Sequence, residues 1–214
     1  MVLADKPSGV TSHDVVARLK RRHRVKTGHA GTLDPFATGL LIILLGREAT
    51  REQAQFMGLA KTYRTVVRFG AVSSTGDPEG EITETGAVPD SVALPTGEVW
   101  QRPPAYSAVK IGGERAYKKA RRGEVVDMPP RQVSVHRFEE LWRDGDRAEY
   151  EIECSSGTYV RSLVADLGDA DCLELRRMAI GPFTVEEASS EEPIPLAGAV
   201  ARLEAFEAAR VPPR

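Results

Sequence analysis

The residues of this 214-residue chain best suited to chemistry lie in Gly28-His29-Ala30-Gly31-Thr32-Leu33-Asp34-Pro35-Phe36-Ala37-Thr38-Gly39. One carboxylate and one imidazole stand among three glycines and a proline. Glycine lets the backbone take left-handed dihedrals or come close to a ligand, and Pro35 biases Asp34 towards an extended conformation. A carboxylate on such a stiffened loop serves as a nucleophile or a base. It serves equally as a turn residue bonding nearby amides, and the stretch alone leaves both readings open. A second candidate is Arg161, which falls in the first turn of an expected helix. A cation there opposes the helix dipole, so a specific anionic partner is expected for it.

The elements that must position these groups follow from hydrophobic period. The loop feeds Leu40-Leu41-Ile42-Ile43-Leu44-Leu45, which reads as a strand buried on both faces. Val2-Leu3-Ala4 reads as a short strand that turns at Asp5–Gly9. Ser12 is the expected N-cap of a helix over residues 13–23, with Val15, Val16 and Leu19 on one face and a basic C-terminal end that suits the dipole. Residues 47–58 read as one helix and Lys61–Gly70 as a strand. Residues 71–98 are rich in Gly, Pro, Ser, Thr and acid, and read as a solvated connection with few core residues.

Arg102–Lys110 is extended and stiffened by proline, and a short basic helix follows around residues 116–122. Together they suggest a protruding arm carrying charge and two tyrosines, Tyr106 and Tyr117, residue types that stack on bases while holding phosphates. Gln132–Trp142 and Arg147–Cys154 read as a hairpin turning at Asp144-Gly145, with Ala148, Tyr150, Ile152 and Cys154 facing inward. Thr158 is the expected N-cap of a helix over residues 159–167, closed by Gly168. Leu173–Arg177 reads as another short helical piece, residues 180–183 as a turn, and Val200, Leu203 and Phe206 as part of a last helix.

Composition narrows the function classes. Basic and acidic residues nearly balance, 29 against 31, and 41% of the chain is hydrophobic, enough for a real core. The charge is unevenly placed: residues 18–26 and 110–122 are basic, whereas Asp77, Glu79, Glu81 and Glu84 form an acidic stretch. A neutral sum is therefore compatible with one basic face for a polyanion, or with solvated helix faces. Two cysteines, Cys154 and Cys172, make no disulfide framework. No second Cys/His pair stands at zinc spacing, so no metal is expected. The first residues are not of signal-peptide type, which makes a cytoplasmic location the default.

Five motifs then stand in order: Asp5-Lys6-Pro7-Ser8-Gly9-Val10-Thr11-Ser12-His13-Asp14, Gly28–Pro35, Lys61-Thr62-Tyr63, Arg102-Pro103-Pro104-Ala105-Tyr106-Ser107-Ala108 and Cys154-Ser155-Ser156-Gly157-Thr158-Tyr159-Val160-Arg161-Ser162-Leu163. In this order they closely resemble the TruB family, enzymes that make pseudouridine 55 in the T-loop of transfer RNA. The resemblance runs from residue 2 to about residue 183. It implies a mixed α/β (α+β) pseudouridine synthase fold, with a long, mostly antiparallel central sheet, flanking helices and a catalytic cleft. By the resemblance, Asp34 is the catalytic aspartate, Tyr63 stacks on the flipped uracil, and Arg161 pairs with Asp34. His29 helps to flip the target, Tyr159 and Leu175 line the pocket, and Lys6 with Pro7 supports the floor beneath the catalytic loop.

The resemblance also implies organisation and partners. Residues 1–188 would be the catalytic domain, residues 103–131 an arm gripping RNA, and residues 189–214 a tail in which no PUA-type module is recognisable. The implied partner is tRNA, through its T-loop and T-stem, with no membrane, no cofactor and a monomeric enzyme. Breaking the N-glycosidic bond, turning the base and joining C5 to the sugar changes neither redox state nor water content, so no cofactor is demanded. Asp34 has three available roles: attack on the base, attack on the sugar carbon, or removal of a sugar proton. Residues 89–98 and 166–172 are short beside the family pattern, the second just before Leu175. Two rival functions are a guide-dependent pseudouridine synthase and a non-catalytic RNA-binding protein with an inherited pocket.

Overall fold

The computed structural model describes residues 1–107, 109–189 and 191–210. Ala108 of the arm motif, and residues 190 and 211–214 of the expected tail, lie outside the described residues. The fold is mixed α/β, with a large mixed sheet flanked by helices. The chain falls into two compact units, Met1–Arg64 together with Leu175 onward, and Thr65–Glu174.

In the first unit β1 (Val2–Lys6) leads through a turn to α1 (Ser12–His23), and β2 (Thr27–His29) leads through the Asp34 loop to β3 (Thr38–Leu45). Strand β1 runs antiparallel to β3 with Leu3 opposite Ile42, and β2 runs antiparallel to it with Gly28 opposite Leu44. Alternation along β3 sends its side chains to two separate cores. Leu40, Ile42 and Leu44 pack with Leu3, Phe56, Ile180, Phe183 and Leu203. Leu41 and Ile43 pack with Val2, Ala4 and the Val15, Val16 and Leu19 face of α1. The apolar run is therefore a strand covered on both faces, as its composition predicts.

Helix α1 is capped one residue earlier than expected. Thr11, not Ser12, accepts from the Asp14 amide, and the Asp14 carboxylate in turn accepts from the Thr11 amide, completing a capping box. Ser12 is free for another task because its neighbour caps. Residues 47–58 form two short helices, α2 (Gly46–Arg51) and α3 (Gln53–Gly58), broken at Glu52. Strand β4 (Lys61–Phe69) then carries the chain out of this unit after Arg64.

The second unit contains a hairpin of β5 (Ala71–Ser73) and β6 (Ile82–Glu84), where the sequence predicted only a solvated connection. Strand β7 (Gly97–Gln101) precedes the arm, in which β8 (Lys110–Ile111) and β9 (Glu114–Arg115) form a small ladder before α4 (Ala116–Arg121). The arm ends in β10 (Arg131–Asp144), which pairs with β7 on one side and β11 (Arg147–Cys154) on the other. Ala148, Tyr150, Ile152 and Cys154 are fully buried, and Tyr150 meets Phe138 edge-on at 5.4 Å. Helix α5 (Val160–Ala165) is shorter than expected and starts from Tyr159, since the Thr158 hydroxyl bonds the Ser155 carbonyl instead of capping.

The expected helical piece at Leu173–Arg177 is wrong: these residues belong to β12 (Ala170–Ile180), which returns the chain to the first unit. Leu175 and Arg177 are buried while Glu174 and Arg176 are not, a period of two that the sequence conceals because one of the inward residues is an arginine. Arg176 and Arg177 pair in parallel with Thr38 and Gly39 of β3. A tight turn at Gly181 joins β12 to β13 (Phe183–Thr184), followed by a 3₁₀ turn over Val185–Ser189 and α6 (Leu196–Arg210). Ala199 and Leu203 of α6 reach the same core as Met1 and Leu3.

Gly39 stands at φ +102°, where a Cβ would sit 2.3 Å from the Arg177 carbonyl oxygen. Gly39→Ala is therefore expected to cost on the order of 3 kcal/mol, combining left-handed strain with backbone overlap, read as a lower urea midpoint. The Arg18 guanidinium, which donates to Glu191 at 2.7 Å, holds that carboxyl below its usual range, and Arg202 does the same for Glu187. A lowered folded pKa gives stability that is present above the unfolded value, about 4.5, and lost as pH falls through the folded one. Because Arg18 is half exposed the effect is small. Glu187→Gln/Glu191→Gln is expected to lower the neutral plateau of a stability–pH curve slightly and to converge with the wild-type curve well below about pH 4.5, where those carboxylates are protonated in both states.

Candidate active site

Asp34 sits half-buried in the loop between β2 and β3. This loop has few strand partners, so its backbone groups must be satisfied by side chains. Three buried polar residues do this. Lys6, fully buried, donates from Nζ to the carbonyls of Pro7 at 2.9 Å, Val10 at 2.8 Å and Pro35 at 3.1 Å. Ser12 accepts from the Leu33 amide at 2.9 Å and donates to the Leu33 carbonyl at 3.1 Å. Arg177, 1% exposed, donates to the carbonyls of Leu40 at 2.7 Å, Gly31 at 3.1 Å and Thr32 at 3.4 Å.

These anchors bracket Asp34 on both sides in sequence: Gly31, Thr32 and Leu33 before it, Pro35 after it. The Gly9 amide adds a bond to the Pro35 carbonyl at 2.9 Å, and the Ala37 amide closes a turn on the Asp34 carbonyl at 3.2 Å. Gly31 stands at φ +97°, a left-handed backbone that a side chain would strain. A carboxylate presented this way loses little freedom when a substrate arrives.

The same unit holds the other residues singled out from its sequence. His29 lies in β2, and its carbonyl accepts from Gln53 Nε2 at 2.8 Å. Tyr63 in β4 and Leu175 in β12 are buried, 8% and 7% exposed, yet neither is sealed completely. Lys61, two residues before Tyr63, is also buried, and its ammonium donates to the Met57 carbonyl at 2.6 Å and to that of Leu59.

Arg161 and Tyr159 belong to the second unit. Arg161 does occupy the first turn of α5, against the dipole, and is 4% exposed. Its guanidinium pairs with Asp77 at 3.2 Å and donates to the carbonyls of Thr75 at 2.6 Å and Tyr106 at 2.9 Å. Asp77 is itself 5% exposed, and its other oxygen accepts from the Thr75 hydroxyl at 2.6 Å and the Glu79 amide at 3.1 Å. The acidic stretch therefore includes one interior carboxylate, which the composition of residues 71–98 does not reveal. Burial pushes the Cys172 thiol up to about 12, so it stays protonated and is no competing nucleophile at neutral pH.

Four contributors went unrecognised in the sequence. Ser12 looks like a cap, Asp77 like part of a solvated acidic stretch, Gln101 carries no reading of its own, and Arg177 ends what reads as a short helical piece. Only Ser12 carries a usable signal, since two cap-type residues in succession leave one of them without a cap to make.

Arg177→Met is expected to destabilise the protein by about 3 kcal/mol, because three carbonyls lose a charged donor inside the structure. It is also expected to depress any activity that depends on Asp34 while the far-ultraviolet spectrum is unchanged. Urea titration and a rate measurement on the same sample check this.

The family model and the curated relatives agree on one family. The model described as TruB family pseudouridylate synthase (N terminal domain) matches residues 18–160. The chain is 43% identical to the tRNA pseudouridine synthase B of Corynebacterium aurimucosum over 88% of its own length and 69% of that protein's. It is 42% identical to the protein of the same name from Arthrobacter sp., covering 98% of this chain and 74% of the relative. Among solved structures, a chain of a Cbf5-Nop10-Gar1 complex superposes with a TM-score of 0.64 at 29% identity, over 98% of this chain and 56% of that one. An H/ACA RNP bound to a substrate RNA containing 2′-deoxyuridine gives a TM-score of 0.61 at 26% identity, over 98% of this chain and 55% of that one.

Proposed function

The chain belongs to the TruB family of pseudouridylate synthases, and we propose that it isomerises uridine 55 in the T-loop of tRNA to pseudouridine. It is an isomerase of tRNA-modifying type, the class to which its relatives' name assigns them. The observation that carries the reading is the Asp34 loop, a carboxylate held between backbone carbonyls that Lys6, Ser12 and Arg177 fix from beneath.

Isomerisation breaks the C1′–N1 bond, turns the uracil and joins C1′ to C5, and the C5 proton leaves as N1 regains one. All atoms are conserved, and no oxidant, reductant or water is consumed. Whether Asp34 attacks the base, attacks C1′ or removes a sugar proton, it must be ionised when the nucleoside arrives. Fixed donors and excluded water serve all three routes. In this reading Tyr63 stacks on the everted base, Tyr159 and Leu175 line its pocket, and His29 assists eversion, since a base inside folded RNA has to leave its stack first. Arg161 supplies the guanidinium of the catalytic set, and Lys6 the floor beneath the loop.

Residues 1–188 act as the catalytic domain, residues 103–131 as an arm over the T-loop and T-stem, and residues 189–214 as a tail, with one protein molecule acting on one tRNA. The basic residues Lys110, Arg115, Lys118, Lys119 and Arg121 give the arm the charge that phosphates require. A second reading, isomerisation directed by a guide RNA, is favoured by the likeness to a chain from an H/ACA RNP.

One assay separates these readings. Purified protein with unmodified tRNA and no guide is expected to yield pseudouridine at position 55. Asp34→Ala is expected to lower the single-turnover rate by more than about a thousandfold, with tRNA affinity kept within about threefold. No product from the wild type without a guide would overturn the reading, and product that appears only with a guide would favour the second. Equal activity of Asp34→Ala would remove Asp34 from the chemistry.

A further inference from the structure

The arm of residues 103–131 is rooted at two residues that face each other in register, Gln101 of β7 and Arg131 of β10. Both grip Tyr159. The Gln101 side chain, 1% exposed, accepts from the Tyr159 amide at 2.7 Å and donates through Nε2 to the Tyr159 carbonyl at 2.9 Å. The Arg131 guanidinium lies over the Tyr159 ring, 5.0 Å from its centroid, and donates to the Gly157 carbonyl. Gly157 stands at φ +86°, and a Cβ there would come within 3.5 Å of that guanidinium.

Tyr159 is the N-cap of α5, and its own side chain makes no capping bond. The start of the helix is therefore held from another element, by a carboxamide that both accepts and donates. Two further bonds reach the same helix, one from the residue just before the arm and one from the arm itself: Ser162 Oγ donates to the Arg102 carbonyl at 2.9 Å, and Arg161 donates to the Tyr106 carbonyl at 2.9 Å. An RNA load on the arm thus reaches the start of α5 through a short set of direct contacts, all inside one unit.

We propose that Gln101 and Arg131 are positioning residues that couple the seating of the arm on RNA to the placement of Tyr159. The inference rests on the reading of Tyr159 as a pocket residue and extends it: the tyrosine is a mechanical output of the arm as well as a wall of the pocket. Arg131 acts through the flat face of its guanidinium, which lysine lacks, and not through its charge alone.

Two variants and two readouts test this. Gln101→Leu keeps the volume and removes both bonds. Arg131→Lys keeps the charge and removes the planar stack. Each is expected to slow single-turnover pseudouridine formation on the order of tenfold, as small misplacements of pocket groups do, with the tRNA Kd within about twofold. Hydrogen exchange at the Tyr159 amide, measured without RNA, is expected to be faster in Gln101→Leu than in the wild type. Adding tRNA should slow it in the wild type and not in Arg131→Lys.

Wild-type rates in Arg131→Lys, a defect confined to Kd, or a salt slope of binding reduced by about one, the mark of a lost phosphate contact, would overturn the proposal. So would an unchanged Tyr159 exchange rate in Gln101→Leu. If Gln101→Leu does not fold, the partly exposed Arg131→Lys decides. Wild-type protein that binds tRNA without forming pseudouridine would sink the functional reading alone, and the exchange measurements would still decide the clamp.

Discussion

Backbone carbonyls that have no strand to pair with are the constraint on which this structure turns. The loop carrying Asp34 needs glycines and a proline for its shape, so it cannot be a regular strand, and its polar groups are too enclosed to be left to water. Lys6 and Arg177 meet the demand with cationic donors, the ammonium at the Pro35 carbonyl and the guanidinium at those of Gly31 and Thr32, while their remaining bonds tie the loop to the β1 turn and to β3. Burying such groups is costly unless their donors are used. Here they are used, in part, on the segment that carries the proposed catalytic carboxylate.

The second unit solves a related problem by other means. Arg161 is placed at the unfavourable end of a short helix, and Asp77 with two carbonyls answers its charge. Tyr159, the N-cap of that helix, makes no side-chain capping bond, and Gln101 holds its amide and carbonyl from β7. In both units, residues distant in sequence finish what local structure leaves incomplete. Interior polar groups of this kind rigidify a site once every partner is in place.

What the sequence made legible follows from how each signal arises. Leu40–Leu45 is legible because burial on two faces demands an unbroken apolar run, and the two cores show why. The β10–β11 hairpin is legible because Ala148, Tyr150, Ile152 and Cys154 alternate cleanly with charge. Strand β12 is not, because its inward positions include Arg177, and hydrophobic period cannot see an arginine that points inside. Asp77 escapes for the same reason in a loop rich in acid. Of the proposed site residues, Asp34, Tyr63, Tyr159 and Arg161 come from the motifs that carry the family likeness. The supports, Ser12, Gln101 and Arg177, leave little trace because their roles depend on partners far along the chain.

That dependence has a consequence for how the molecule is made. Arg177 emerges from the ribosome 145 positions after Thr32, whose carbonyl it holds, and Gly39 is shaped around a backbone that does not yet exist when it leaves the exit tunnel. The loop is therefore among the last parts of the first unit to gain its shape, since long-range closure follows local folding. A nascent chain stalled before β12 would hold the loop only from Lys6, Ser12 and Gly9, with the Gly31 and Thr32 carbonyls still waiting for Arg177.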